Sequence, residues 1–169
     1  MNPFRIPKRL EELAQMIRAF CETLPEEERT LADIGCDHGK LPLKLLREEV
    51  ISFAVASDVK EGPLSRAREN AALAGYEARL RFCLADGLAG LAPGEVRMAV
   101  IAGMGGETIR GILTPEETER TRVKDFFLSP QSKVPDLRAF LAEQGYRYIE
   151  ERSVRDRKKE YLLLHVRRA

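Results

Sequence analysis

Apolar residues recur along the chain with two different spacings. Ile6, Leu10, Leu13, Ile17, Phe20 and Leu24 fall every three or four positions around Pro7, the signature of one buried stripe on an α-helix. Pro25 and the run Glu26-Glu27-Glu28 end that pattern. Beyond them, short apolar runs alternate with helical stretches. Positions 31–34, 52–56, 80–84, 98–102 and 126–128 read as strands. Positions 41–50, the stretch bracketed by Pro63 and Gly75, positions 107–113 and the segment carrying Leu137, Phe140 and Leu141 read as helices. Positions 114–122 read as a charged connector.

Strand and helix in repeated alternation predict a parallel sheet covered on both faces. The last two apolar runs, 146–149 and 161–166, depart from this. A charged turn joins them, with no room for the dozen or more residues that a parallel crossover needs, so they pair antiparallel. The expected fold is α/β: a Rossmann-like, doubly wound, seven-stranded sheet with its last strand antiparallel and an extra N-terminal helix. Such sheets bind ligands beyond the carboxyl ends of their strands, near the switch in strand order. That places Gly35, Asp58, Asp86, Gly103 and Gln131 in view.

Composition narrows the class. The 169 residues are 44% hydrophobic and 33% charged, with a net charge of +1, which suits one globular domain spanning 1–169 with residues 1–25 as a helix packed on it. No apolar run nears the roughly 20 residues that span a bilayer, and the charged start is no secretory signal. No membrane is expected, and the cytoplasm is the expected compartment. Cys21, Cys36 and Cys83 are unclustered and odd in number, and His38 and His165 are the two histidines, so neither a disulfide framework nor a metal centre is expected. The charge is unevenly spread. Residues 1–18 carry +2, residues 152–169 carry +5, and the body between them carries −6. Basic ends on an acidic body suit an anionic partner held on one side.

The turn after the first strand reads Asp33-Ile34-Gly35-Cys36-Asp37-His38-Gly39. A dinucleotide fingerprint needs glycine at 35, 37 and 40, where this chain has Gly, Asp and Lys; a phosphate loop is absent too. A carboxylate where a pyrophosphate would sit disfavours NAD, and no Tyr-x-x-x-Lys pair supports an oxidoreductase. Asp58 ends the second strand, where a carboxylate can accept both hydroxyls of a ribose. Asp86 ends the third. Acidic strand ends in this order suit a nucleoside with a cationic tail, and S-adenosylmethionine is such a molecule. After the fourth strand, Ala102-Gly103-Met104-Gly105-Gly106 leaves an open backbone where a transferred group would emerge. The Asp/Asn-Pro-Pro-aromatic motif of enzymes that methylate exocyclic amines does not occur there.

These segments carry a resemblance. Asp33 to Pro42, Ala56 to Leu64, Ala85-Asp86-Gly87-Leu88 and Ile101 to Gly106 resemble the bacterial tRNA (adenine-22-N1)-methyltransferase family, a class I S-adenosylmethionine-dependent family. The match runs from about Arg9 to Val166 and continues through Leu128-Ser129-Pro130-Gln131 and Lys159-Glu160-Tyr161. Family members usually continue into a C-terminal helical extension, which has no counterpart in a sequence ending at Ala169.

The resemblance implies methyl transfer to N1 of adenine 22 in the tRNA D-arm, with tRNA as partner. Implied cofactor contacts are Asp33, Gly35, Cys36, Asp37, His38 and Gly39; then Asp58, Val59 and Lys60; then Asp86 and Gly87; then Ala102, Gly103 and Met104. His38 reads equally as a structural residue at the helix start. Gly103 and Gln131 are the expected residues at the reacting atoms, and Gly105 and Gly106 the expected acceptor-side backbone. If the sixth strand runs parallel to the first five, a turn from Arg152 to Lys159 lies on the cofactor side. Arg152, Arg155, Arg157, Lys158 and Lys159 then rim the pocket, with Arg5, Lys8 and Arg9 as a second RNA surface. Tyr161 reads as packing or as a base-stacking ring. A methyltransferase of this fold with another substrate, or a non-catalytic scaffold, stays open. So does a homodimer or a partner subunit.

Overall fold

Pro7 takes an extended conformation and starts helix α1 (Lys8–Cys21), which buries Leu13 and Ile17 of the expected stripe together with Ala14, Met16 and Cys21, while Ile6, Leu10 and Phe20 pack against this core half-buried. Leu13, Met16 and Ile17 each contribute about 1.5–3 kcal/mol on burial. The computed structural model describes residues 2–169; Met1, where the expected domain begins, lies outside the described residues. The strands are β1 (Thr30–Ile34), β2 (Phe53–Asp58), β3 (Leu80–Leu84), β4 (Met98–Met104), β5 (Asp125–Pro130), β6 (Arg147–Asp156) and β7 (Lys159–Arg167). Helices α2 (Lys40–Arg47), α3 (Glu61–Ala74), α4 (Gly106–Ile112), α5 (Pro115–Thr121) and α6 (Val134–Glu143) connect them.

All seven strands form one sheet in the order β3-β2-β1-β4-β5-β7-β6. β1 to β5 pair in parallel, and β7 runs antiparallel to both β5 and β6. This is the expected doubly wound sheet, and it makes β6 parallel to the first five strands. Side chains alternate between two cores. Phe127 and Leu163 pack with Leu13, Ile17, Leu43 and Leu64 on one face. Phe126, Leu128 and Val166 pack with Ile109, Leu137 and Leu141 on the other. Strand order reverses at β1, between β2 and β4, so the crevice falls at the end of β1.

Three expectations need correction. Positions 114–122 hold helix α5, not a connector. Thr114 caps it by accepting from the Glu117 backbone N–H at 3.4 Å, and Pro115 stands in its first turn. The Thr-Pro-Glu-Glu signal was present in the sequence. Strand β4 runs on to Met104, past the expected end at 102. The hairpin turn is only Arg157 and Lys158, not Arg152 to Lys159. Residues 152–155 continue β6 because their alternation turns Val154 into the core and leaves Arg155 exposed. Charged side chains on this outermost strand also discourage pairing with another sheet edge.

Candidate functional site

The turn after β1 is shaped by its neighbours. Gly35 (φ +74°) and Cys36 both donate their backbone N–H to the Ser57 carbonyl, at 2.9 and 3.0 Å. A left-handed φ of this kind favours glycine. From α3, the Asn70 side-chain amide donates to the His38 carbonyl at 2.9 Å. Gly39 is buried, and a Cβ there would stand 3.0 Å from Ala67 of α3. The turn is therefore held from β2 on one side and from α3 on the other.

Two cavities open around it. One, of about 370 Å³, is lined by Asp58, Val59, Lys60, Asp86, Gly87 and Ile112. The other, of about 310 Å³, is lined by Asp33, Cys36, Ala102, Gly103 and Gln131, and roofed by Ile6, Pro7, Arg9 and Leu10 from the start of α1. Gly35, Asp37 and Met104 line both. Thus most of the expected cofactor residues face one elongated site. His38 and Gly39 do not: they line neither cavity, and their observed contacts hold the turn to α3.

The site is acidic. Burial, followed by the nearby charges of Asp37 and Asp58, pushes the Asp33 carboxyl up to about 8. Burial and the same acidic neighbours push the Cys36 thiol far above its ordinary value, so it offers no thiolate. Asp58 accepts the Lys60 backbone N–H at 3.0 Å, which orients its carboxylate at the end of β2. Among the described residues no group of three His, Cys, Asp or Glu side chains could hold a metal ion.

On the acceptor side, pairing of β4 with β5 shifts register between Ala102 and Met104. Gly103 is the extra residue, exposed and at φ +76°, so its backbone polar groups leave the ladder and face the cavity edge. The Gln131 backbone N–H donates to the Met104 carbonyl at 2.9 Å, and the Gln131 amide nitrogen stands 3.8 Å from where a Cβ of Gly103 would be. The two expected reaction-centre residues therefore meet. Gly105 and Gly106 do not line the site. Gly106 is buried against the loop before α6, where a Cβ would lie 2.5 Å from the Lys133 carbonyl oxygen, and a Cβ on Gly105 would lie 2.7 Å from the Ser132 hydroxyl. Their size permits close packing, which corrects the acceptor-side expectation.

A third, basic groove of about 770 Å³ adjoins the second cavity. Its cations are Arg5, Lys8, Arg9, Lys40 and Arg157. Of the turn cations expected from sequence only Arg157 joins Arg5, Lys8 and Arg9 in this groove, because β6 runs parallel and delivers its turn to the start of α1. Asp156 accepts the Arg9 backbone N–H at 3.3 Å, serving as a cap for a helix whose own Pro7 supplies none. The Arg9 guanidinium lies 5.0 Å from the Tyr161 ring centroid, and the Lys159 ammonium lies 5.5 Å from it. Lys158 and Arg155 are exposed outside this groove. Arg152 is withdrawn from the rim: it lies within β6, paired with Glu150 and with Glu12. The reading from sequence missed Lys40 and Asp156, since nothing local to either residue tells which remote segment it will face.

At the opposite pole, Asp125 is fully buried and accepts from His165 Nε2 (2.8 Å), Arg167 Nε (2.9 Å) and Arg97 Nε (3.0 Å). His165 stacks on Phe127 at 4.3 Å. This cluster ties β5 to β7 far from the strand ends that form the site.

Residues 6–164 match the Methyltransferase domain family, and with the doubly wound sheet and its acidic strand ends this defines the chain as a Rossmann-like methyltransferase domain. It is 29% identical over 151 residues to the tRNA (adenine(22)-N(1))-methyltransferase of Bacillus subtilis, a match covering 89% of this chain. Sp1610 of Streptococcus pneumoniae, solved in complex with S-adenosyl-L-methionine, is 31% identical with a TM-score of 0.86, over 98% of this chain and 74% of that one. The crystal structure of the B. subtilis m1A22 tRNA methyltransferase TrmK gives a TM-score of 0.84 at 27% identity, over 98% and 68%. The chain belongs to this tRNA (adenine-22-N1)-methyltransferase family. It spans 60% of the length of the curated B. subtilis relative. No helix among the described residues is long and apolar enough to cross a membrane.

Proposed function

We propose that this chain, acting as one domain in the cytoplasm, transfers a methyl group from S-adenosylmethionine to N1 of adenine 22 in the D-arm of tRNA. The observation that carries this reading is the row of carboxylates Asp33, Asp58 and Asp86 at successive strand ends, around two cavities that meet at Gly35. The activity of the B. subtilis relative and the ligand held by Sp1610 support it.

The residues fit this cofactor. Burial first, and then the charges of Asp37 and Asp58, hold the Asp33 carboxyl high, and a sulfonium and an ammonium group would favour its ionised form. Asp58 is placed to accept ribose hydroxyls, and the apolar faces of Val59 and Ile112 suit an adenine ring. S-adenosylmethionine supplies the electrophilic methyl carbon when bound.

The protein's task is then alignment. N1 of adenine is an in-ring lone pair, unprotonated at neutral pH, so no general base is required. Rate enhancement comes mainly from holding the nucleophile in line with the methyl carbon and sulfur. Gly103, through its bulged backbone, and Gln131 border the cavity where N1 would enter. Methylation leaves the adenine cationic, and Asp37 and the carbonyls of Ala102 and Gly103 offer negative charge to it. The test is mass mapping of methyladenosine in tRNA incubated with protein and cofactor. The expected product carries N1-methyladenosine at position 22, and replacing that adenine by guanine removes it. Cofactor binding with methyl found elsewhere, or nowhere, overturns the assignment.

A further inference from the structure

The basic groove opens into the methyl-transfer cavity across four residues common to both: Ile6, Pro7, Arg9 and Lys40. Its cations come from three separate elements. Arg5 and Lys8 stand at the start of α1, Lys40 begins α2, and Arg157 lies in the hairpin turn. Among the described residues Arg5, Lys8 and Arg157 are exposed and make no ion pair, whereas Arg9 is pinned by Asp156 and Tyr161. Asp156 is the one carboxylate of the lining, and its hydrogen bond to the Arg9 N–H commits it to α1.

The unpaired Arg5, Lys8 and Arg157 repel one another across this concave surface, and concave walls focus their field outward. A chain of phosphates relieves that repulsion at several points together; a monovalent anion cannot. Two of the cations, Arg9 and Lys40, sit at the mouth of the very cavity that a target base must fill. A nucleotide everted into that cavity has its own phosphate at the mouth and its neighbours' phosphates along the groove.

Resting on the methyl-transfer reading above, we propose that this groove is the track for the sugar-phosphate backbone of the strand that carries the target nucleotide. Arg9 and Lys40 meet the phosphate of the everted nucleotide. Arg5, Lys8 and Arg157 meet the flanking phosphates. Asp156 and Tyr161 are positioning residues that hold Arg9 at the mouth.

The test compares two charge-reversal triples of the full chain. Arg5→Glu/Lys8→Glu/Arg157→Glu removes the groove cations outside the cofactor cavities. Arg122→Glu/Lys124→Glu/Arg147→Glu makes the same charge change at exposed positions by the amino ends of β5 and β6. The groove triple should bind S-adenosylmethionine within about twofold of the parent by calorimetry. Its tRNA affinity should fall at least tenfold at 0.1 M salt, and its slope of log K against log salt should become shallower by about 2, roughly 0.7 per lost phosphate contact. The control triple should keep the parental slope. Parental affinity and slope in the groove triple overturn the proposal, as does an equal loss in both triples. Should the groove triple lose cofactor binding through misfolding, the glutamine version of the same three positions is read by the same criteria. Methylation by the groove triple at the parental KM for tRNA defeats the groove and leaves the reaction standing. Groove-dependent tRNA binding without methylation by the parent does the reverse.

Discussion

The Met104 methyl group stands 2.6 Å from the point where a side-chain carbon on Gly35 would project. These two residues, one from the end of β1 and one from the end of β4, form the partition between the two halves of the site. Gly35→Ala should be strained chiefly by its φ of +74°, which disfavours any L side chain by about 1–2 kcal/mol, while its methyl displaces the flexible end of Met104 at smaller cost. The expected result is at least tenfold weaker binding of S-adenosylmethionine by calorimetry. Adding Met104→Ala should recover only the smaller part owed to contact and leave the larger part owed to backbone strain. An unaltered affinity in the single variant would remove Gly35 from the account.

Asp58 is expected to anchor the ribose. Hydrogen bonds to a charged acceptor contribute about 1.5–3 kcal/mol, so Asp58→Ala should weaken cofactor binding roughly 10- to 150-fold. The fold should survive, because the side chain lies at a strand end and its hydrogen bond is to the nearby Lys60 backbone N–H. Asp58→Asn, which keeps one acceptor oxygen, should recover part of the loss. Equal affinity in all three proteins contradicts the anchoring role.

The raised Asp33 carboxyl makes cofactor binding depend on pH. Without ligand its value of about 8 means that the group is largely protonated at neutral pH. A cationic ligand favours the ionised form, so binding should release a proton and tighten as pH rises from about 6 toward 8. For the empty protein the sign is opposite. The native state binds the proton more tightly than the unfolded chain does, so stability from this group is full below the unfolded value of about 3.9 and declines as pH rises through about 8. Calorimetry in buffers of different ionisation enthalpy reads the proton release directly. Asp33→Asn should abolish it; a persisting release assigns the proton to another group.

Asp125 is a buried charge held by three donors, and its role is structural. Burial raises its pKa, but the hydrogen bonds from His165, Arg97 and Arg167 outweigh this and hold it below the ordinary value. Its contribution to stability is therefore present above the unfolded value of about 3.9 and lost as pH falls through the lower native value. Asp125→Asn should cost about 1–3 kcal/mol, since the buried carboxylate that accepts from three donors becomes a neutral amide and the partly buried Arg97 and Arg167 lose a charged acceptor. Thermal unfolding should shift downward, while cofactor affinity measured below the transition should hold. A variant of parental stability refutes the cluster's importance.

Much of the fold was legible because burial writes a period into the chain. The stripe from Ile6 to Phe20, the apolar strands and the capping residues each report on a few neighbours, and local sequence carries that information. Asp33, Asp58 and Asp86 were legible for the same reason: each lies within two residues of a strand's carboxyl end, and a doubly wound sheet has its crevice at those ends. The helix at 115–121 was also written locally, in Thr114 and Pro115, and a reading weighted toward its charges passed over it.

What the chain alone determined is the sheet, its parallel majority and the acidic row at the carboxyl ends of the strands. Tertiary structure decided what faces that row. Only the placement of β7 between β5 and β6 turns β6 parallel and brings Arg157 beside Arg5, Lys8 and Lys40, residues separated by more than a hundred positions. It also withdrew Arg152 into ion pairs and Gly106 into packing. Periodicity records which face of an element is buried. It carries no record of which distant surface arrives there, because strand order and hairpin register are set by the packing of the whole sheet.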